Sequence, residues 1–253
     1  EAADEMMQGG RLLDPGCGSG VFLVEALRMM IDGGVPVQTA LDRISGFDTS
    51  PLAVFLARLN VQIFLQSTAG QRRSQRRSQW KSQGRSQGRS FEALKTAVRL
   101  NDSILGNPYP GGEGRRFAVL VGNPPWVRWE LISADYRKKI VSLVSARPEL
   151  FRESGFIARL GAASDDLLGV FAALTAERYL KDGGLLAFVI KQTVLTNRTG
   201  AAFRTLFDAG PRGMPLGLQR VHDLRGCQGL FDGGQQETAV VVTRFGQSTQ
   251  FPV

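Results

Sequence analysis

Asp14-Pro15-Gly16-Cys17-Gly18-Ser19-Gly20 stands between two apolar stretches of different period. Before it, Arg11-Leu12-Leu13-Asp14 reads as a short buried strand. After it, apolar spacing predicts a helix from about Ser19 to Ile31, stopped by Asp32-Gly33-Gly34. A glycine turn between strand and helix is where open α/β sheets bind ligands. Glycine permits the sharp turn and a close approach of backbone to ligand. The helix start offers free N–H groups to an anionic group. The spacing here is G-x-G-x-G with a carboxylate ahead of it. Asp14 would repel a dinucleotide pyrophosphate, whereas it suits an amino group such as that of a methionine moiety. A turn that only packs helix on strand needs the same glycines, so the loop by itself is moderately specific.

The alternation continues outward. Arg43 to Asp48 reads as a second strand, and Thr49-Ser50-Pro51 supplies a cap and a first-turn proline. The helix that follows is expected to turn Leu52, Phe55, Leu56, Leu59 and Ile63 inward. Helix resumes near Phe91, and a third strand ends at Asn101-Asp102. Phe117 to Val121, apolar throughout, fits a buried parallel strand. A helix is expected from Ser164 to about Lys181, favoured at its start by Asp165 and Asp166 and stopped by Gly183-Gly184. Leu185–Ile190 is a fifth strand. Leu218–Leu224 and Thr238–Phe245 are two more, joined by a glycine-rich stretch without helical pattern. This is an α/β fold: a mostly parallel sheet of seven strands, helices on both faces, and an antiparallel hairpin at one edge.

Residues 71–90 break the rhythm with five tetrads, QRRS, QRRS, QWKS, QGRS and QGRS. Without an apolar face they cannot offset the entropy of ordering, so the stretch 67–90 reads as a low-complexity basic insertion within one domain spanning 1–253. It carries seven basic residues and no acidic one, and the rest of the chain is balanced at 24 basic against 23 acidic residues. The net charge of +8 therefore describes one segment. A solvated loop is the plainer reading of these tetrads, and a basic arm gripping phosphates is the alternative.

Cys17 and Cys227 lie far apart and His222 is the sole histidine, which argues against a disulfide framework or a Cys/His metal site. No apolar run approaches the ~20 residues of a membrane span and the start has no signal pattern, so a cytoplasmic protein is expected. The chain opens at Glu1 rather than Met and stops soon after an apolar strand. The expectation is a trimmed domain.

Two acidic residues sit at strand ends where a ligand would lie. Asp48 can accept from ribose hydroxyls, although an Asp there can equally cap the next helix. Asp102 can accept from an adenine amine, or serve a turn.

The sharpest signal is Asn123-Pro124-Pro125-Trp126, directly after the fourth strand. The lone pair of a planar amine is delocalised, and two acceptors aimed at its N–H bonds localise it. The Asn123 side-chain oxygen and the Pro124 carbonyl can supply them. Pro124 and Pro125 hold the loop rigid before substrate arrives. Trp126 offers a face for stacking a base drawn out of its helix. A rigid turn with Trp126 in the core is the competing reading.

These residues resemble the N6-adenine DNA methyltransferases in which the cofactor motif precedes the catalytic motif. DPGCGSGVFLVEAL is similar to the cofactor motif, and GFDTSPLAVFLARLN to the stretch with its ribose-binding acid. Asn101-Asp102-Ser103-Ile104-Leu105 resembles the adenine-binding stretch, and FAVLVGNPPWVRWE the catalytic motif. DDLLGVFAALTAERYLKDGGLLAFVI and QGLFDGGQQETAVVVTRF resemble the later motifs. The resemblance covers most of residues 11–245 apart from the tetrads.

It implies a Rossmann-like class I methyltransferase that uses S-adenosyl-L-methionine and acts on DNA in a restriction-modification or phage-defence setting. Asp14, Pro15, Gly16, Gly18, Gly20, Phe22, Asp48, Asp102 and Ser103 would bind the cofactor. Asn123, Pro124, Pro125 and Trp126 would perform catalysis, and Phe231 would border the target base, with no metal. Trp126 stands where Tyr or Phe is commoner. The family's upstream cofactor helix is missing or reduced to residues 1–10. A target-recognition domain or subunit is expected outside this chain. The alternatives are an RNA base-amine or protein glutamine methyltransferase, and a non-catalytic DNA-binding subunit of the same fold.

Overall fold

A computed structural model describes residues 1–75, 94–106, 116–146, 167–197, 200–225 and 237–249. The chain divides into two compact units, Glu1–Asp102 and Ser103–Val253.

The first unit begins with α1 (Ala2–Met7). β1 (Leu12–Asp14), α2 (Val21–Asp32), α3 (Val37–Arg43), β2 (Ile44–Asp48), α4 (Pro51–Gln75) and β3 (Val98–Leu100) follow. β1 pairs parallel to β2 with Asp14 opposite Gly46, and β2 pairs parallel to β3 with Asp48 opposite Leu100. Parallel pairing requires crossovers, and α2, α3 and α4 provide them. Because parallel neighbours align their C-terminal ends, Asp14, Asp48 and the residues after Leu100 emerge on one edge of this unit.

α4 corrects one expectation. Leu52, Phe55, Leu56, Leu59 and Ile63 are exposed, at 66%, 61%, 37%, 39% and 54%, while Val54, Ala57 and Val61 are buried. The physical reason is close approach. A Cβ placed on Gly20 would lie 2.9 Å from the Ala57 Cβ, so α4 comes against the glycine loop where only small side chains fit. Asn60 Nδ2 donates to the Ser19 carbonyl at 2.9 Å, and the Arg58 guanidinium donates twice to the Val98 carbonyl, at 3.0 and 2.7 Å. The backbone of residues 67–75, assigned from sequence to the insertion, continues α4 as helix. Residues 76–93, with the remaining tetrads, lie outside the described residues.

The second unit carries β4 (Phe117–Gly122), a 3-10 turn at Trp129–Leu131, α5 (Ala134–Ser145), α6 (Leu168–Tyr179), β5 (Leu180–Lys191) and α7 (Ala201–Thr205). It closes with β6 (Leu216–Asp223) and β7 (Thr238–Phe245). β4 and β5 pair in parallel, and β7 runs antiparallel to both β5 and β6. The described strands are thus those of a mostly parallel seven-stranded α/β fold with an antiparallel edge pair, as the sequence pattern predicts.

The junction of α6 and β5 differs from expectation. The helix ends at Tyr179 and the strand already begins at Leu180, five residues before the predicted Leu185. Lys181-Asp182-Gly183-Gly184 looks like a turn in sequence but forms a bulge, since Phe117 pairs with Leu180 and Val119 next pairs with Leu185. The predicted start of this helix at Ser164–Asp166 lies outside the described residues. Almost every residue of α6 is buried, as a helix without a polar face must be.

Candidate functional site

The glycine loop follows from β1 ending in a buried carboxylate. Asp14 is 1% exposed, and its Oδ1 accepts from the Gly16 N–H at 3.1 Å. Its Oδ2 is buried and accepts no hydrogen bond among the described residues. Burial pushes the Asp14 carboxyl up to about 7, the Gly16 N–H opposes that shift, and the negative charge of Asp48 adds to it. A carboxylate with one satisfied and one waiting oxygen fits an ammonium donor, which would offset the burial. Gly18 and Gly20 adopt positive φ, +52° and +81°. No side chain caps α2, so the N–H groups of its first turn are not claimed by a cap. These features fit the methionine portion of S-adenosylmethionine.

Asp48 takes two backbone N–H groups at the end of β2. Its Oδ2 accepts from the Gly18 N–H at 2.9 Å and its Oδ1 from the Ser50 N–H at 2.8 Å. It clamps the glycine loop to the end of β2, and each oxygen retains a further lone pair for a hydroxyl. Capping of α4 falls instead to Ser50, whose Oγ accepts from the Ala53 N–H at 3.3 Å. Cys17 is buried, and burial together with the charges of Asp14 and Asp48 pushes its thiol well above the ordinary range. It is an inert small side chain. Phe22, half-buried, lies in the first turn of α2. Asp102 is half-buried at the end of this unit, two residues after β3.

In the second unit Ser103 is buried, and its carbonyl accepts from Arg178 at 3.3 Å. Arg178, on α6, also donates to the Gly106 carbonyl at 3.2 Å. One guanidinium thereby fixes the loop that starts at Ser103. Sequence reasoning missed Arg178, because nothing local to it signals a partner more than seventy residues away.

Asn123 leaves the end of β4 with its side chain exposed and makes no hydrogen bond among the described residues. Pro124 is buried, and Pro125 and Trp126 are half-buried. Lys191, the last residue of β5, holds its Nζ 5.8 Å from the Trp126 ring centroid, a cation–π contact absent from the sequence reading. The second unit thus brings Asn123, Trp126 and Lys191 to the ends of neighbouring parallel strands. Phe231 and Cys227 lie outside the described residues, and His222 is exposed on β6.

The architecture is that of the class I S-adenosylmethionine-dependent methyltransferases. It is similar to one from Listeria monocytogenes assigned to that class, with a TM-score of 0.53 and 16% identity over 96% of this chain and 55% of that one. The methyltransferase subunit of a type I restriction-modification system from Streptococcus thermophilus gives 0.56 and 18%, over 97% and 44%. The type IIL restriction-modification enzyme MmeI, in complex with DNA, gives 0.64 and 14%, over 98% and 32%. The family model of the Eco57I restriction-modification methylases matches residues 42–209, and the chain belongs to that family. Comparison with curated proteins gives no match. The chain spans about half or less of the length of these solved structures.

Proposed function

We propose that this chain is the catalytic domain of an enzyme that transfers a methyl group from S-adenosylmethionine to the N6 amine of an adenine in DNA. The observation that carries the reading is Asn123, exposed at the end of a buried parallel strand and followed by buried Pro124. Membership of a restriction-modification methylase family supports DNA as the substrate.

Asp14 would accept from the cofactor's ammonium group, with Pro15, Gly16, Gly18 and Gly20 shaping the backbone around it and Phe22 packing nearby. Asp48 would take ribose hydroxyls, and Asp102 and Ser103 the cofactor's adenine. When bound, the cofactor supplies an electrophilic methyl on a sulfonium, which is a good leaving group. The Asn123 oxygen and the Pro124 carbonyl would accept the two N–H bonds of the target amine and direct its lone pair. Pro125 stiffens the loop, Trp126 stacks on the extruded base, and Phe231 would border it. A C–N bond forms as the S–CH3 bond breaks, and the amine then releases a proton to solvent. No strong base is required. Sequence-specific recognition would come from a domain or subunit outside these residues.

Replacing Asn123 with Ala tests the assignment. Turnover should fall by a factor of 100 or more while calorimetric cofactor affinity stays within about twofold, because Asn123 acts on the amine only. Retained turnover removes Asn123 from the reaction.

A further inference from the structure

Between the 3-10 turn at Trp129–Leu131 and α5 the second unit has an open groove of roughly 460 Å³ lined by Trp129, Ala134, Arg137, Lys138, Val141 and Ser142. The five α5 positions fall at i, i+3, i+4, i+7 and i+8, which is one face of a helix. Trp129, 6% exposed, closes the apolar floor, and Arg137 and Lys138 stand at the rim. Arg128 and Lys139 are exposed close by in sequence. Two acidic residues are also close by in sequence: Glu130, which is exposed, and Asp135, which lies 3.9 Å from the Lys138 Nζ with the Asp135 and Lys138 side chains 91% and 81% exposed. An ion pair so open to water is weak, and a phosphate can displace it.

We propose that this groove seats the DNA strand beside the target nucleotide, with a phosphate on Arg137 and Lys138 and the sugar edge against Trp129 and Val141. The inference rests on the methyltransferase reading and names a surface that the reading does not use. Two arguments select a nucleic-acid strand as occupant. The first is charge: paired cations above an apolar floor complement a sugar-phosphate chain, which alternates anionic and apolar faces. The second is reach. Trp129 is three residues from Trp126, so their Cα atoms are at most about 11 Å apart. At about 3.4 Å of rise per nucleotide, the groove serves a position within about three nucleotides of the target.

The test uses the whole protein with half-buried Arg137 and exposed Lys138 both replaced by Gln, and thermal melting checks that the double variant is folded. Affinity for a 30-base-pair duplex of mixed sequence is measured across salt concentrations. The double variant should bind more weakly, with a log–log slope shallower by about 2, and with unchanged cofactor affinity. A photoreactive group on Ser142→Cys should mark nucleotides within about three of the methylated adenine.

Unchanged affinity and slope, marking elsewhere on the duplex, no duplex binding by the native protein, or preference of the groove for an acidic peptide would each overturn the proposal. Failure of the two claims is separable. If the native protein labels no DNA yet the slope still drops in the variant, the activity is misassigned and the groove stands. If labelling of DNA persists with a native slope, the groove is wrong and the activity stands.

Discussion

Asp14 places a carboxylate where water does not reach, and this has consequences that run in opposite directions for binding and stability. Its carboxyl is pushed up to about 7 from 3.8. A carboxyl that holds its proton more tightly when folded makes the ligand-free protein lose stability as pH rises from about 4 to about 7, after which stability levels off. An ammonium-bearing ligand prefers the ionised form, so cofactor binding should weaken progressively as pH falls below about 7. Asp14→Asn should remove this part of both dependences. At pH 8 the variant should melt at a higher temperature than the native protein yet bind cofactor at least tenfold more weakly. Thermal melts and calorimetry across pH 5–9 read both effects. A variant that melts lower at pH 8 would show that Asp14 is not a buried, unsatisfied charge.

Gly20 and Gly18 separate conformation from space. Both have positive φ, but a Cβ on Gly20 would meet Ala57 at 2.9 Å, whereas one on Gly18 would meet nothing within 4 Å. Gly18→Ala should cost about 1 kcal/mol of backbone strain. Gly20→Ala should cost roughly 1–3 kcal/mol more, because α4 must move. Urea unfolding of the two variants gives the difference directly.

Among the elements, α4 holds the clearest lesson about what a sequence pattern can tell. Periodicity identifies Leu52, Phe55, Leu56, Leu59 and Ile63 as one stripe, but it does not say which stripe faces inward. Contact with Gly20 selects the side with Ala57, a constraint between segments that neither displays alone. Phe55→Ser and Leu59→Ser should therefore leave stability within about 1 kcal/mol of native. Ala57→Leu should cost roughly 1–3 kcal/mol. Chemical denaturation that ranks Phe55→Ser as the more damaging change would restore the inward stripe.

β7 was legible to the residue, Thr238–Phe245, because a β-branched apolar run with flanking polar residues is a local signal. The start of β5 was not. Its Lys181–Gly184 bulge is held by pairing with β4, whereas in sequence the same residues spell a turn. The glycine turn between β1 and α2 was readable because its conformational need is local, at the positive φ of Gly18 and Gly20. Arg178, Lys191 and the Arg137–Lys138 groove become visible only once tertiary structure has placed them.

For the molecule as a whole, charge is a poor guide to DNA binding. Outside residues 71–90 the chain is balanced at 24 basic and 23 acidic residues, so attraction to phosphate must come from local placement of cations, as on α5. Among the described residues no helix is long and apolar enough to cross a membrane. The related solved chains are longer, and this chain covers 32% of MmeI. The proposed amine chemistry rests on Asn123-Pro124-Pro125-Trp126.

The identity of the methylated atom tests that assignment most directly. DNA, RNA and protein would be incubated side by side with the enzyme and a tritiated methyl donor, and the DNA digested to nucleosides and separated by chromatography. Label is expected in DNA alone, co-eluting with N6-methyldeoxyadenosine. Label on cytosine, in RNA or on glutamine, or no transfer to any of the three, would contradict it.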